Sequence, residues 1–355
     1  MNEPVRRVAL LGWSQSRHIQ KWAIGLQERG WRVRVFTPGN LAPEGIDTVE
    51  VPGGRWGFLR GAKAFGRALR EFNPDILHVH YAGGFGWLGL RSRFRPLIVS
   101  AWGADVIDKP RNPLLRPFVS RILNSADQVT ATSLMLKKAC LNLAPAVDSK
   151  ITVIPFGVEF PKDVEPLPTG AFRLCFIKKH TPKYGPEILV RAVAELIGEG
   201  LDIRLVMAGS GNLTESLKRT VEDLKLTDRI SFAGFVDSAE INSTLQNSHV
   251  MVMPSVMESE SFGVAALEAS ACARPVIASR IGGVPEVIDD GVTGILVPPG
   301  DIAALTRAIK RLYMDRELGT RMGEAGRSFV RANYLWSESL DRMIGVYEKV
   351  LKQSG

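Results

Sequence analysis

Two glutamates, Glu260 and Glu268, stand eight residues apart with Phe262-Gly263 between them. Residues 251–255 (MVMPS) read as a strand running into a loop, and residues 264–269 (VAALEA), starting at Val264, read as an opening helix. That places Glu260 in the loop and Glu268 about two turns into the helix, up to ~12 Å away at 1.5 Å per residue. Two carboxylates that share one scissile bond stand roughly 5 to 9.5 Å apart. This pair therefore suits the two ends of a long ligand, such as a nucleotide-sugar. The helix start at Phe262-Gly263 presents N–H groups without intrahelical partners, which attract phosphate or sugar oxygens. Two solvated glutamates beside an ordinary helix start would show the same spacing, so the neighbouring residues have to decide.

Those neighbours carry charge and glycine. Lys178, Lys179, His180 and Lys183 fall at or just past the end of a strand read over 173–177. Lysines at the carboxyl end of a parallel strand are placed to meet a diphosphate, although a solvated basic loop is the plainer account. Gly209-Ser210-Gly211 follows a strand and precedes a helix, where glycine lets backbone approach a phosphate or ribose. Gly282-Gly283 follows a later strand and would bring amides close to a charged ligand. Residues 291–294 (GVTG) read as a structural turn.

The elements that must hold these groups alternate between strand and helix. In the first half, strands are expected over 6–12, 32–37, 75–80, 96–101 and 128–132, with a helix over 19–29. In the second half, strands are expected over 173–177, 203–208, 230–233, 250–253 and 275–278. Helices over 186–197, 213–224 and 239–246 separate them, and helices over 302–315 and 337–353 close the chain. Short apolar runs separated by helical periods indicate parallel, doubly wound sheets. Residues 161–170 (PKDVEPLPTG), with three prolines and a glycine, make the best linker. The fold class expected is α/β, with two Rossmann-like domains facing each other and the ligand at the C-terminal ends of the strands. The domains would be 1–160 on the acceptor side, the linker 161–170, and 171–335 for the donor. A helix over 336–355 would cross back to the first domain.

The first half offers a second set of polar groups. Residues 14–18 (SQSRH) leave the first strand and enter a helix, so His18 would face the cleft to meet acceptor or pyrophosphate, or sit as a structural histidine at the loop edge. His78 and His80 alternate along a strand and share one face; His80, at the strand end, is the one expected to reach the cleft. Trp102 and Asp105 follow the strand over 96–101. Arg60, Lys63, Arg67 and Arg70 form one basic face of a helix with apolar sides, which fits an interfacial helix on anionic lipid or an ordinary surface helix.

Composition narrows the classes. The chain has 355 residues, 45% hydrophobic and 23% charged, which suits two globular domains with full cores. Cys140, Cys175 and Cys272 are odd in number and far apart, so neither a disulfide framework nor a zinc site is expected and the compartment reads as reducing, hence cytoplasmic. No apolar run approaches the length of about 18 residues that would span a membrane. The net charge of +8 is uneven: residues 1–150 hold 22 lysines and arginines against 11 acids, and the remainder 23 against 26. A basic first half suggests an anionic partner, whether a membrane surface, a nucleic acid or a phosphorylated acceptor, or simply a soluble basic surface.

Taken in order, Ile154-Pro155, Gly157-Val158-Glu159, Phe232, Gly234-Phe235-Val236, Pro254-Ser255, Glu260 to Gly263, Glu268-Ala269, Gly282-Gly283, Glu286 and Asp290 to Gly294 resemble a retaining glycosyltransferase of the family 4 type, with the GT-B fold. The resemblance covers nearly the whole chain and is most specific over 150–300. It implies that Glu268 grips the ribose hydroxyls, that Glu260 lies near the donor sugar and its phosphates, and that Phe262 and Gly263 offer backbone to sugar hydroxyls. Lys179 matches the basic residue that neutralises the diphosphate leaving group. The family usually has a second lysine just before the glycine matching Gly185; here Tyr184 is in that place and Lys183 is one residue earlier, so either meets the phosphate. Phe235-Val236 matches the segment facing the base. Many relatives have a histidine where Trp102 stands, and Trp102 cannot supply an acceptor nitrogen. The polar catalytic role is therefore expected of Asp105, unless that carboxylate caps a helix.

The resemblance implies transfer with retention and without a metal, and no D-x-D is present. The expected function is transfer of a sugar from a nucleotide-diphosphate donor to a glycan or lipid-linked acceptor in cell-surface polysaccharide synthesis. The protein would be cytoplasmic or peripheral on the inner face of the membrane. A nucleotide-sugar epimerase of the same fold, or a nucleotide- or nucleic-acid-binding module without transferase activity, are the alternatives.

Overall fold

Parallel strands buried on both faces need aliphatic side chains on both, and Val8 to Leu11 show no exposed surface. The computed structural model describes residues 5–39, 44–54, 57–58 and 61–354. In the first half the order is β1 (Arg7–Leu11), α1 (Arg17–Glu28), β2 (Arg32–Thr37), β3 (Thr48–Glu50), α2 (Ala62–Phe72), β4 (Ile76–His80) and α3 (Gly84–Ser92). There follow β5 (Leu97–Ala101), α4 (Arg116–Ser125), β6 (Gln128–Ala131), α5 (Leu134–Leu143) and β7 (Ile151–Val153). The sheet runs β3-β2-β1-β4-β5-β6-β7, so its direction of winding reverses between β1 and β4.

The second half repeats the plan. It holds β8 (Phe172–Ile177), α6 (Pro186–Gly198), β9 (Ile203–Ala208), α7 (Thr214–Asp223), β10 (Ile230–Gly234), α8 (Ser238–Gln246) and β11 (Val250–Met253). Then come α9 (Val264–Ala271), β12 (Val276–Ser279), β13 (Gly294–Val297), α10 (Ile302–Met314), α11 (Arg316–Asn333) and α12 (Trp336–Ser354). This sheet runs β10-β9-β8-β11-β12-β13 and reverses between β8 and β11. All ladders of both sheets are parallel. Ligands of such sheets sit outside the carboxyl ends of the strands at the reversal.

The chain divides into two units, one reaching Pro155 and regaining the chain from Ser337, the other spanning Phe156–Trp336. The expected return of the C-terminal helix to the first unit is therefore present: Tyr347 packs on Trp31 at 5.3 Å and Arg29 pairs with Asp341. The boundary falls before the expected linker, not within it. Residues 161–170 are tied to the second unit because Arg274, 1% exposed, needs acceptors. It donates to the carbonyls of Glu165 at 2.8 Å and Pro166 at 3.3 Å, and the Glu165 N–H donates to Gln246 Oε1 at 2.7 Å. Where the chain enters and leaves the second unit, Val158 and Leu335 bridge in parallel. Gly157 permits this, since a Cβ there would stand 2.5 Å from Trp336 Cα. Among the described residues no helix is long and apolar enough to cross a membrane. The three cysteines are buried and free.

Candidate active site

At the reversal of the second sheet, β8 runs into Lys178 and Lys179 while β11 runs into Pro254-Ser255 and the loop carrying Glu260. Glu260 is 6% exposed, and a carboxylate so buried needs a partner. Lys178 Nζ meets its Oε1 at 3.0 Å, and Ser255 Oγ donates to Oε2 at 3.3 Å. Burial opposes the Lys178 charge, but Glu260, Tyr184 and Glu268 outweigh it and hold the ammonium above its usual value. Lys183 Nζ donates to the Ser259 carbonyl at 2.7 Å. The ammoniums of Lys178 and Lys183 lie 5.2 and 5.3 Å from the Tyr184 ring centre. Tyr184 thus sits between two cations, and Lys183 is anchored to the Glu260 loop. Lys179 is exposed.

The loop that carries Glu260 is held from behind by glycine. A Cβ on Gly282, whose φ is +57°, would stand 2.1 Å from the Glu260 carbonyl oxygen, and one on Gly283 would stand 2.1 Å from that of Ser261. The Gly283 N–H donates to the Glu260 carbonyl at 3.0 Å. These glycines therefore let two loops touch; the Gly283 amide is not aimed at a charged ligand, as the sequence suggested. Gly209, with φ +128°, works the same way: its Cβ would meet the Lys178 carbonyl at 2.1 Å, and its N–H donates to Gly234 at 2.6 Å. It joins the ends of β8, β9 and β10, and does not spend its amide on a ligand.

Beyond Glu260, Phe262 is buried at 2% exposure and Gly263 adopts φ +90°, which favours glycine and turns the chain into α9. The first bond inside the helix runs from the Ala266 N–H to the Gly263 carbonyl at 2.9 Å, so Val264 and the residue after it open the helix with N–H groups facing outward along its axis. Glu268 is the fifth residue of α9, half-buried, and so sits little more than one turn in, closer than the two turns expected. Its charge reaches Lys178, which links both glutamates to one ammonium. Phe235, 82% exposed, and half-buried Val236 follow β10 at the same edge of the sheet. The arrangement sets lysines, a helix start and two carboxylates along the C-terminal edge of one sheet, which can hold an extended ligand whose middle is anionic.

In the first unit, His18, His80 and Trp102 come together at the corresponding edge. Trp102 stands 5.8 Å from His18 and 4.8 Å from His80 between ring centres. His18 and Trp102 are half-buried, but His80 is 1% exposed, so it supports Trp102 from beneath and does not itself open to solvent. Neither ring nitrogen of His80 has a hydrogen-bond partner among the described residues. Burial, then His78 and His18, push its pKa well down. Below it, His78 is bonded to Tyr347 Oη at 2.6 Å and to Ser100 Oγ at 2.7 Å, and burial lowers it to about 3. Tyr347 comes from α12, far along the chain, and nothing local in the sequence pointed to it.

Asp105 does not fit the catalytic role expected of it. It is fully buried, and its oxygens accept the N–H groups of Ala82 at 2.7 Å, Gly103 at 2.8 Å and Trp102 at 3.2 Å. Burial raises its pKa while those N–H groups pull it back. The carboxylate closes the loop that presents Trp102. Lys178, one of the three lysines expected to meet a diphosphate, is instead taken up by Glu260. The available signal was its place at the end of β8, and only the pairing with Glu260 separates it from Lys179.

Comparison with known proteins agrees with this geometry. Residues 7–133 match the family model "Glycosyl transferase 4-like" and residues 158–329 match "Glycosyl transferases group 1". A D-inositol 3-phosphate glycosyltransferase of Mycolicibacterium smegmatis is 27% identical over 94% of this chain and 86% of its own. Among solved structures, sucrose-phosphate synthase from Thermosynechococcus elongatus superposes with a TM-score of 0.85 at 23% identity, covering 98% of this chain and 100% of the other. HepE of Anabaena, solved with UDP-glucose, gives 0.83 at 17% identity, covering 97% and 99%. Both models describe glycosyl transferases, which favours the transferase reading over the binding module and the epimerase. Two doubly wound units, the carboxylate–lysine site and both family models lead to one assignment: the chain belongs to the glycosyltransferases of the family 4 type, with a GT-B-like fold.

Proposed function

We propose that this glycosyltransferase moves a sugar from a nucleoside-diphosphate donor to a hydroxyl of a glycan or lipid-linked acceptor. Transfer proceeds with retention and without a metal, on the cytoplasmic side, in cell-surface polysaccharide synthesis. The observation that carries this reading is the Lys178–Glu260 pair, 3.0 Å apart at the reversal of the second sheet and directly ahead of α9. Breaking a glycosyl–phosphate bond leaves negative charge on the diphosphate and positive character on the anomeric carbon. Lys179, exposed beside that pair, and Lys183 neutralise the leaving group, together with the N–H groups at Gly263 and Val264. Lys179 and Lys183 supply there the charge that a metal would otherwise bring. Glu260 faces the donor sugar with Phe262 behind it, Glu268 takes the ribose hydroxyls, and Phe235-Val236 lies along the base. His18 and Trp102, with His80 beneath, form the acceptor side. The complex of HepE with UDP-glucose supports a uridine nucleotide as the first donor to try.

The test is thermal unfolding with UDP-, GDP-, ADP- and dTDP-glucose, with and without EDTA. A donor present at a hundred times its Kd stabilises by about 2.7 kcal/mol. One nucleotide class should raise Tm, unchanged by EDTA, and the anomeric configuration of the product should match that of the donor. No shift with any donor would sink the reading of the site, and a shift abolished by EDTA would sink its metal independence.

A further inference from the structure

Trp13 stands at the carboxyl edge of the first sheet, just past β1, and keeps 54% of its surface open. An exposed side chain ordinarily turns freely, yet this indole is pinned. Phe85, at the start of α3 and 3% exposed, meets it edge to face at 5.5 Å, and Phe58 meets Phe85 in the same way at 5.1 Å. Phe58 reaches that place because residue 84 is glycine: a Cβ there would stand 2.5 Å from its Cδ2. The backbone is held as well. The Ser16 N–H donates to the Trp13 carbonyl at 2.9 Å, the Ser14 N–H to Thr37 Oγ1 at 3.1 Å, and Gln20 Nε2 to the Ser14 carbonyl at 2.8 Å. The loop has therefore given up conformational freedom without burying its largest side chain. A rigid indole that offers apolar area to solvent lowers the entropy cost of recognition.

The surroundings of Trp13 are polar. In the sheet, β1 and β5 flank β4, so Trp13 and Trp102 leave strands two spacings, about 10 Å, apart. Half-buried Tyr81 follows β4 between them, with Lys109 Nζ 5.1 Å from its ring centre, and His18 lies against Trp102. Gln15, Ser16 and Arg17, which follow Trp13 in its loop, are exposed or half-exposed. The basic face expected on α2 opens elsewhere: Lys63, Arg67 and Arg70 line a groove against α3, and Arg60 lies outside the described residues. A single aromatic face set among hydrogen-bonding groups does not suit a prenyl or acyl chain, which needs continuous apolar surface. It suits a six-membered polyol ring, a pyranose or a cyclitol. The C–H bonds of such a ring form an apolar face, and the hydroxyls at its rim need polar partners.

We propose that the indole of Trp13 is the platform on which a polyol ring of the acceptor stacks. The proposal rests on the transferase reading and adds to it a class of acceptor and a residue that selects it. Tryptophan emission of the full chain is titrated with the methyl pyranosides of glucose, galactose and mannose, with myo-inositol and with a short prenyl phosphate. Parent, Trp13→Phe and Trp13→Ala are compared. At least one ring polyol should shift the parent emission, and the shift should vanish in Trp13→Phe, which keeps an aromatic face but lacks the reporting indole. A methyl pyranoside as the responding ligand assigns the ring to a glycan, and myo-inositol assigns it to a free cyclitol. In acceptor-dependent release of nucleoside diphosphate, Trp13→Ala should raise the acceptor KM about tenfold with a smaller change in kcat, and Trp13→Phe should recover most of it. Both variants should keep the parent Tm and the parent donor-induced shift, because the donor groups belong to the second unit. If no donor raises Tm, the transferase reading fails, and the emission titration still decides whether Trp13 holds a ring. Unchanged parent emission with every ring polyol, a shift that survives in Trp13→Phe, or a shift with the prenyl phosphate alone would overturn the proposal. So would a parent acceptor KM in Trp13→Ala.

Discussion

Lys178 Nζ lies 3.0 Å from Glu260 Oε1, with 14% and 7% of the two side chains exposed. Removing one member of so buried a pair strands the other, at a cost on the order of 3 kcal/mol. Lys178→Ala should therefore lower the Tm of the second unit as well as turnover. The double variant K178M/E260Q removes both charges; it should regain most of the stability and none of the activity. Urea unfolding alongside initial rates checks this. A double variant that restores turnover would show that the pair is scaffolding only.

Glu268 and Lys179 should fail differently. Glu268 is half-buried on α9, and its assigned hydrogen bonds to ribose are charge-assisted, so Glu268→Ala should weaken donor binding by roughly tenfold to a hundredfold. Lys179 is exposed at the end of β8, and its partner charge peaks in the transition state, so Lys179→Ala should lower kcat by about a hundredfold with little change in KM. Titration calorimetry with donor and steady-state kinetics separate the two. Normal turnover in Lys179→Ala would move the diphosphate elsewhere.

Gly282→Ala tests the loop contact behind Glu260. The new Cβ would meet the Glu260 carbonyl oxygen at 2.1 Å on a backbone with φ +57°. Relief requires the Glu260 loop to shift, at a cost of about 1–3 kcal/mol. Donor affinity should fall although the substituted residue touches no ligand. Unchanged affinity in a folded variant would disconnect this turn from the site.

Acid should destabilise the fold through buried neutral histidines. Burial lowers His78 to about 3, and burial followed by the charge of Arg316 lowers His249 to about 4, while an unfolded histidine titrates near 6.5. Between those values the unfolded chain binds more protons, so stability falls as pH drops below about 6.5, by about 1.4 kcal/mol per pH unit for each such histidine. Calorimetry from pH 7 to pH 5 should show this slope, and His78→Gln should flatten it. A variant with the parent slope would mean that His78 is already charged in the folded state.

What the sequence determined by itself was mostly local. β2 and β9 and β11 were read with their observed limits because aliphatic runs between turn residues report burial directly. Three-residue β3 and β7 escaped because so short a run has no period to detect, and β13 begins at Gly294, the last residue of the stretch read as a turn. The E-x₇-E carboxylates were legible because a loop and the helix after it are adjacent in the chain. Tertiary structure decided the rest. Lys178 and Lys179 are neighbours in sequence, and only the packing of β8 against β11 selects which one meets Glu260. Asp105 has the position of a catalytic acid, but its surroundings are backbone amides that only the folded loop supplies. Residues 161–170 have a linker's composition, yet buried Arg274, more than a hundred residues later, claims their carbonyls. In each case a charged group had to leave water, and the partner that satisfied it came from a distant part of the chain.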